Sequence, residues 1–455
     1  MDTKFLFFLF LGLLTGGSIF VVKDKTKLAI ILLIIFSSLR NGIILYHYNG
    51  ILLVDFPLIV LLILEIATFK NFTFLPKKVS GIYLFFIGWC IVVSLNTSWM
   101  QGWSFNEVAK FIRAYLIFIA VFNYLNTRKD ISTVVTGLLL AVFMHSGIGV
   151  CQWRMGPLGL TFFEEPQFRY YRSYGLFVHP VMFADYLILI VPVVFRLFIF
   201  QHTQNKKRTL FYGIVFVFSA MALFSTFARG PWVGFILSMA IMLSIDVIQK
   251  KFRYIKTIPL IMAIVFGSFF LIKYSPKIYE RLIEDTRVST DSSKIRMPLI
   301  KTAVRMIKAK PIFGTGLGCY IKWVRFFVVS DGSFDYDDLK QNVHNSYLLI
   351  AAEIGILGLV LYLLVVAAIL KVGLKVAKSK SSLISNLGKG VIFGYLALLI
   401  EFMGGPDYRI HQILNTFWLL AGVVVGLYYI NLKYQIQLRA KRILSPASQK
   451  VSQKG

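Results

Sequence analysis

The sequence predicts an all-α polytopic membrane protein, on three observations. The 455-residue chain is 57% hydrophobic and only 15% charged, against about 25% charged in soluble globular chains. Its apolar residues gather into stretches close to 20 residues long, the length a helix needs to cross the hydrocarbon core. Within them the apolar residues are continuous, not alternating, which reads as helix and not as membrane-spanning strand. A helix also satisfies its backbone hydrogen bonds within the segment, as lipid demands.

Taken in order, apolar spans fall near 5–22, 27–39, 50–69, 79–97, 108–125, 131–152, 175–200, 210–228, 231–248, 255–273, 346–370, 390–404 and 413–431. No cleavage pattern follows the first, so it reads as a retained helix. The 27–39 stretch is short for a crossing. It is either a span extended by its flanks or a re-entrant piece, which makes the count 12 or 13. The organisation expected is one integral membrane domain over 1–455, a long extracytoplasmic loop over 274–345 and a basic cytoplasmic tail over 432–455, with no internal repeat.

Charge orients these spans. Lys206, Lys207 and Arg208 fill the 201–209 connection, and Lys250, Lys251, Arg253 and Lys256 the 249–256 connection. Lys371, Lys375, Lys378, Lys380 and Lys389 fill 371–389. Such connections belong in the cytoplasm. The alternate ones, 98–107, 228–231 and 405–412, hold few basic residues and belong outside. The net charge of +28 is thus an orientation signal and a contact for anionic membrane lipids, with nothing that asks for nucleic acid. Cys90, Cys151 and Cys319 are scattered, as neither a disulfide framework nor a zinc site would be.

The 72 residues from 274 to 345 include "SSKIRMPLIKTAVRMIKAKPIFGTGLG". Ile300, Val304 and Ile307 share one helical face; Lys301, Arg305 and Lys308 share another. This predicts an amphipathic helix ended by Pro311 and Gly314, lying at the outer interface with its basic face toward lipid phosphates. Asp335, Asp337 and Asp338 lack an accompanying ligand set and read as a solvated acidic stretch, so no metal site is expected. A smaller external loop, 153–174, carries "EEPQFRYYRSYG".

Three polar residues stand where water gives way to apolar surroundings. Arg229, in "FSTFARGPWVGF", sits in a tight turn between two spans. An arginine there either snorkels or faces a cavity or an anionic partner. Arg296 lies on the loop helix, where it is either specific or one more base on a solvated face. His344, in "QNVHNSYLLIAAEIGILG", opens an apolar run in which residues 348–370 carry one charge, Glu353. Its neighbour Asn345 suits a helix N-cap. Two guanidiniums can hold a diphosphate through bidentate hydrogen bonds. A histidine can take the proton of an attacking hydroxyl.

The chain resembles the O-antigen ligase and polymerase family of bacterial envelope glycosyltransferases over roughly residues 110–430. "RSYGLFVHPVMFADYL" resembles the family's Arg-x-x-Gly-x-Phe-x-x-Pro segment, and "TFARGPWVG" its Arg-Gly turn. "IRMPLIKTAVRMIKAKPIFGTGLG" resembles its loop helix followed by a Pro-x-x-Gly-x-Gly turn; "HNSYLLIAAEIGILGLVLYL" resembles its His-Asn-x-x-Leu entry into a span. The resemblance implies that His344 is the general base, that Arg229 and Arg296 bind the donor diphosphate, and that Arg172 is a further donor-binding candidate. Ala228 replaces the family's usual Ser, and Val181 stands where Asn is common, which removes His179 from the catalytic candidates.

The reaction implied is inverting transfer of a glycan from undecaprenyl diphosphate to an acceptor hydroxyl, without metal, nucleotide sugar or other cofactor. It takes place at the outer face of the bacterial inner membrane. The acceptor is lipid A-core for a ligase and a second lipid-linked glycan for a polymerase. A lipid-glycan transporter is the alternative of another class, although the matched broken spans that such folds show are missing here.

Overall fold

The computed structural model describes residues 23–39, 53–68, 72–97, 100–158, 171–202, 205–248, 290–328 and 341–451. Among them every regular element is helical: thirteen α-helices and one short 3₁₀ turn, with no strand. The apolar stretches read near 5–22 and 255–273, and the acidic stretch at 335–338, lie outside the described residues. Seven of the helices are long and apolar enough to cross a membrane, so the chain is an all-α polytopic membrane protein.

The helices are α1 Lys25–Ser37, α2 Asp55–Thr68, α3 Ser80–Asn96, α4 Gln101–Tyr124, α5 Arg128–Met155, α6 Pro180–His202, α7 Lys206–Ser225 and α8 Arg229–Ile248. There follow α9 Thr290–Ala309, α10 Tyr320–Phe327, α11 Ser346–Ala377, α12 Ser382–Glu401, the 3₁₀ turn Asp407–Arg409 and α13 His411–Val451. Local chemistry sets several starts. Thr127 and Asp130 form a capping box at α5, Asn205 caps α7, and Pro180 takes the first position of α6, where its missing N–H costs nothing. Helix α12 begins eight residues before the apolar run at 390, and α13 continues through the stretch read as a basic tail.

Between apolar helices in lipid, close packing must replace the hydrophobic drive. Two Gly-x-x-x-Gly pairs supply it. A Cβ on Gly390 would lie 2.6 Å from the Val193 Cα, and one on Gly394 would strike the Leu189 carbonyl, so α12 meets α6 backbone to backbone. A Cβ on Gly422 would lie 2.8 Å from the Phe118 carbonyl oxygen and one on Gly426 2.8 Å from Leu125, which seats α13 on α4. The apolar parts of α6 and α13 are almost wholly enclosed by protein, whereas those of α7 and α8 are much less so.

One buried ion cluster ties three helices. The Asp246 carboxylate of α8 pairs with Arg196 of α6 and with Lys389 of α12, the latter at 2.6 Å. All three side chains are buried. Lys389 therefore belongs to the bundle interior and not, as its place in the sequence suggests, to the 371–389 connection. Ionisable residues within a span commonly pair with one another in the bundle interior.

The bundle has two polar ends. The α3–α4, α7–α8 and α12–α13 connections lie at one end, where Arg409 pairs with Glu107 of α4 at 3.3 Å and Gly230 lies against Glu401. The α5 N-terminus, the α11–α12 connection and Tyr434 meet at the other, around Arg128 and Lys380. The lysines of the 371–380 stretch fall at this second end, and the candidate residues at the first.

Helix α9 forms where the loop sequence predicts it, and it runs on through Pro298. The stripe buried against protein is Ile295, Leu299, Ala303 and Met306. The stripe of Ile300, Val304 and Ile307 flanks it and is partly exposed. Arg305 turns inward far enough to donate to the Phe327 carbonyl at 3.2 Å, tying α9 to α10. Lys301 and Lys308 are exposed.

Beyond α9 the Pro311–Gly316 turn wedges into a break in α11. Ile354 and Gly355 leave helical geometry there, with φ of −123° and 76°. The freed groups are met by the turn: Thr315 N–H donates to Ala352 O (2.9 Å), Gly316 N–H to Glu353 O (2.8 Å) and Ile356 N–H to Pro311 O (2.8 Å). Gly314 and Gly355 both have left-handed backbones, and a Cβ on either would strike the opposite chain's carbonyl. Glycine alone suits both demands. Glu353, the single charge of the apolar run, is fully buried just before the break. It accepts from Tyr408 Oη (2.8 Å) and Arg409 Nη2 (2.9 Å).

Candidate active site

The four residues singled out in the sequence come from four segments, and these meet around the C-terminal end of α12. The 171–179 segment is pinned to the turn before α8. Arg172 Nε donates to the Thr226 carbonyl at 2.7 Å, and Ser173 N–H to the Ser225 carbonyl at 2.9 Å. Arg172 is buried. Two residues past the Arg229 turn, Pro231 and Trp232 are buried in the bundle, and the Trp232 indole donates to Leu223 O at 3.0 Å. Within the turn Phe227 takes φ of 50°, a left-handed conformation uncommon for an aromatic residue and found where structure over-determines the backbone. Arg229, partly buried, is the first residue of α8.

Gly230 places this turn against Glu401, the last residue of α12. A Cβ on Gly230 would lie 3.5 Å from Glu401 Oε1. Immediately beyond Glu401 the chain receives the entry to α11. Ser346 N–H donates to Phe402 O (2.8 Å), Ser346 Oγ to Gly405 O (2.7 Å) and Asn345 Nδ2 to Met403 O (3.2 Å). Asn345 is the N-cap, its Oδ1 accepting from Leu348 N–H at 2.9 Å. Capping is thus assigned to Asn345, and no described residue hydrogen-bonds the His344 ring, which is half-buried just before it.

Arg296 completes the group from α9. Its side chain is exposed, and its charge acts on both His344 and Glu401. The His344 pKa is lowered, first by burial and second by the Arg296 guanidinium. Both effects disfavour the imidazolium and hold the ring toward its neutral form, which can accept a proton.

Glu401 is also one of three buried carboxylates that the sequence reading did not raise. Asp185 of α6, Glu401 and Asp407 of the 3₁₀ turn bring ligand atoms within 4.8 Å of one another. Burial raises the Asp407 carboxyl above the ordinary range, while its hydrogen bond with Asp185 pulls the other way. Asp185 and Glu401 each stand in an apolar stretch, and an ionisable residue within a span is a functional signal by itself. Their mutual approach was not legible, because they lie more than 200 residues apart in the chain.

Residues 214–363 match a family model described as O-antigen ligase. The matched region contains Arg229, Arg296 and His344. A protein of Rickettsia typhi named "putative polysaccharide ligase" is 24% identical over 356 residues, covering 75% of this chain and 77% of that protein. The resemblance carried by the motifs is thus found by both comparisons.

Proposed function

We propose, from the O-antigen ligase family match as premise, that this chain is a glycosyltransferase that uses a polyprenyl-diphosphate-linked glycan as donor. The observation that carries the reading is the meeting of His344, Arg296, Arg229 and Arg172 at one end of an apolar bundle, away from the 371–380 lysines. The polyprenyl tail stays in lipid while the diphosphate lies at the bundle end, within reach of the arginines. Neutral His344 takes the proton from the acceptor hydroxyl as its oxygen attacks the anomeric carbon. The bond from that carbon to the diphosphate oxygen breaks on the opposite face, with inversion, and undecaprenyl diphosphate leaves. The guanidiniums stabilise the charge that grows on it.

We favour ligase over polymerase chemistry on the description of the matched family, O-antigen ligase, and take lipid A-core as the acceptor that this reading implies. The test uses purified protein in liposomes with undecaprenyl-diphosphate-linked glycan and either lipid A-core or a second lipid-linked glycan. Product on lipid A-core and release of undecaprenyl diphosphate are expected, in EDTA as well as without it. The EDTA arm matters because of the Asp185–Glu401–Asp407 group. Activity lost in EDTA and restored by a divalent cation would replace the metal-independent mechanism. No release of undecaprenyl diphosphate at all would leave the transporter reading.

Arg229→Ala and Arg296→Ala should each lower kcat/KM by roughly 10- to 100-fold, the worth of a hydrogen bond to a charged group. Lysine at either place should restore only part, since it offers a point charge and no planar fork. Lys301→Ala, on an exposed position of the same α9, should stay near wild type. Equal loss at all three positions would favour a diffuse electrostatic surface over a site.

The site end is assigned to the periplasmic side of the bacterial inner membrane, because the basic connections belong in the cytoplasm. A cysteine placed at Ser333 should react with an impermeant maleimide added to intact spheroplasts. Labelling seen only in inverted vesicles would reverse the orientation.

A further inference from the structure

The Pro-x-x-Gly-x-Gly turn that the sequence singled out takes no part in the transfer chemistry. It does form the floor of a cavity of about 330 Å³, at the same end of the bundle as His344. This is the size at which small-molecule sites begin. Its walls come from the end of α3, the end of α9, the turn and α10. Asn96, Thr97, Lys310, Phe313, Thr315 and Trp323 line it, and no carboxylate does.

The wedge of the turn into α11 makes this floor rigid before any ligand arrives. Phe313 is stacked on Trp89, with centroids 5.4 Å apart and ring planes at 18°. Lys310 holds its ammonium 4.2 Å from the centre of the Trp323 ring. The Trp323 indole N–H is buried and has no hydrogen-bond partner among the described residues. An orphaned buried donor is costly unless something else satisfies it. Flat aromatic surface, an exposed amide, an ammonium and an unpaired donor form a set suited to the hydroxyls and apolar ring faces of a neutral or acidic sugar. Helix α9 runs from Arg296 to the cavity edge at Ala309, roughly 20 Å at the usual rise per residue. A sugar joined directly to the diphosphate does not span that distance.

We infer that this cavity is a saccharide subsite that binds a distal part of the donor glycan. The inference rests on the glycosyltransferase reading for the identity of its ligand. It gives the chain a way to prefer long glycans over short ones with no change at the arginines or the base.

The probe is the oligosaccharide freed by mild acid from the lipid-linked glycans of the cells that make the protein, titrated calorimetrically into the full-length protein. Wild type and Arg296→Ala should bind it equally. Asn96→Ala and Trp323→Ala should bind about ten-fold more weakly or worse, and Trp323→Phe, which keeps a ring but loses the N–H, should fall between. In transfer, Asn96→Ala and Trp323→Phe should raise KM for the long donor and leave it unchanged for a donor carrying one sugar. The inference is overturned if wild type binds no oligosaccharide, or if Asn96→Ala and Trp323→Phe bind it as tightly as wild type does. It also falls if anionic phospholipid in nanodiscs, and not the oligosaccharide, gives a tryptophan fluorescence change that Trp323→Phe abolishes. Oligosaccharide binding without transfer in wild type would count against the reaction assigned above and leave the subsite in place.

Discussion

His344→Ala is expected to abolish glycan transfer, with a loss of roughly 10²- to 10⁴-fold, the usual contribution of a positioned general base. Donor binding and thermal stability should stay near wild type, because the ring is not the cap of α11. Asn345 is, through Leu348. His344→Gln separates proton transfer from hydrogen bonding, since glutamine can donate and accept but cannot take a proton at these pH values. A well-folded His344→Gln enzyme with most of its activity would end the assignment. The pH profile provides a second check. Burial and Arg296 both lower the pKa of His344, so kcat/KM, which reports the free enzyme, should hold as pH falls past the ordinary histidine value near 6.5. It should drop only below that, where the ring gains its proton. Arg296→Ala removes one of the two causes and should move this acid limb upward. An unmoved limb would mean that another group titrates.

Asp246→Asn is the substitution expected to cost most stability, about 3–5 kcal/mol. It removes the carboxylate that Arg196 and Lys389 share, and with it one close counter-charge from each of two buried cations. Desolvation was tolerable for the three together and is not for the remaining pair. Unfolding in detergent, followed by heat or denaturant, would show the loss. Replacing all three residues with leucine should recover much of it, because a buried ion cluster is often no more stable than an apolar one of similar volume. A single Asp246→Asn variant as stable as wild type would show that water reaches the cluster.

The positions of Arg229, Arg296 and His344 were legible in the sequence because each breaks a local pattern: a cation in a two-residue turn between spans, a helix inside a long loop, a histidine at the mouth of an apolar run. Their partners were less so. Glu401 and Asp185 look like isolated acids in apolar stretches, and only the packing of α6 on α12 brings them together. Lys389 shows the limit of charge counting, since a lysine at a span's edge reads the same whether it faces water or a buried aspartate. The amphipathic helix was found, but apolar side chains surround most of it. Periodicity alone therefore could not tell the stripe on Leu299 and Ala303 from the one on Ile300 and Val304.

The wedge at Ile354–Gly355 bears on how relatives of this protein could be recombined. Three main-chain hydrogen bonds and two glycines bind the 311–316 turn to a helix that begins thirty residues later. The segment before α11 is therefore not a cassette that ends where α11 starts. A chimera spliced at Gln341 would join a turn from one parent to a helix break from the other, and neither would have its main-chain partners in register. Crossover after Gly358 keeps the turn, the break and the His344 entry from a single parent, and is the junction at which exchanged loops should still yield folded, assayable enzymes.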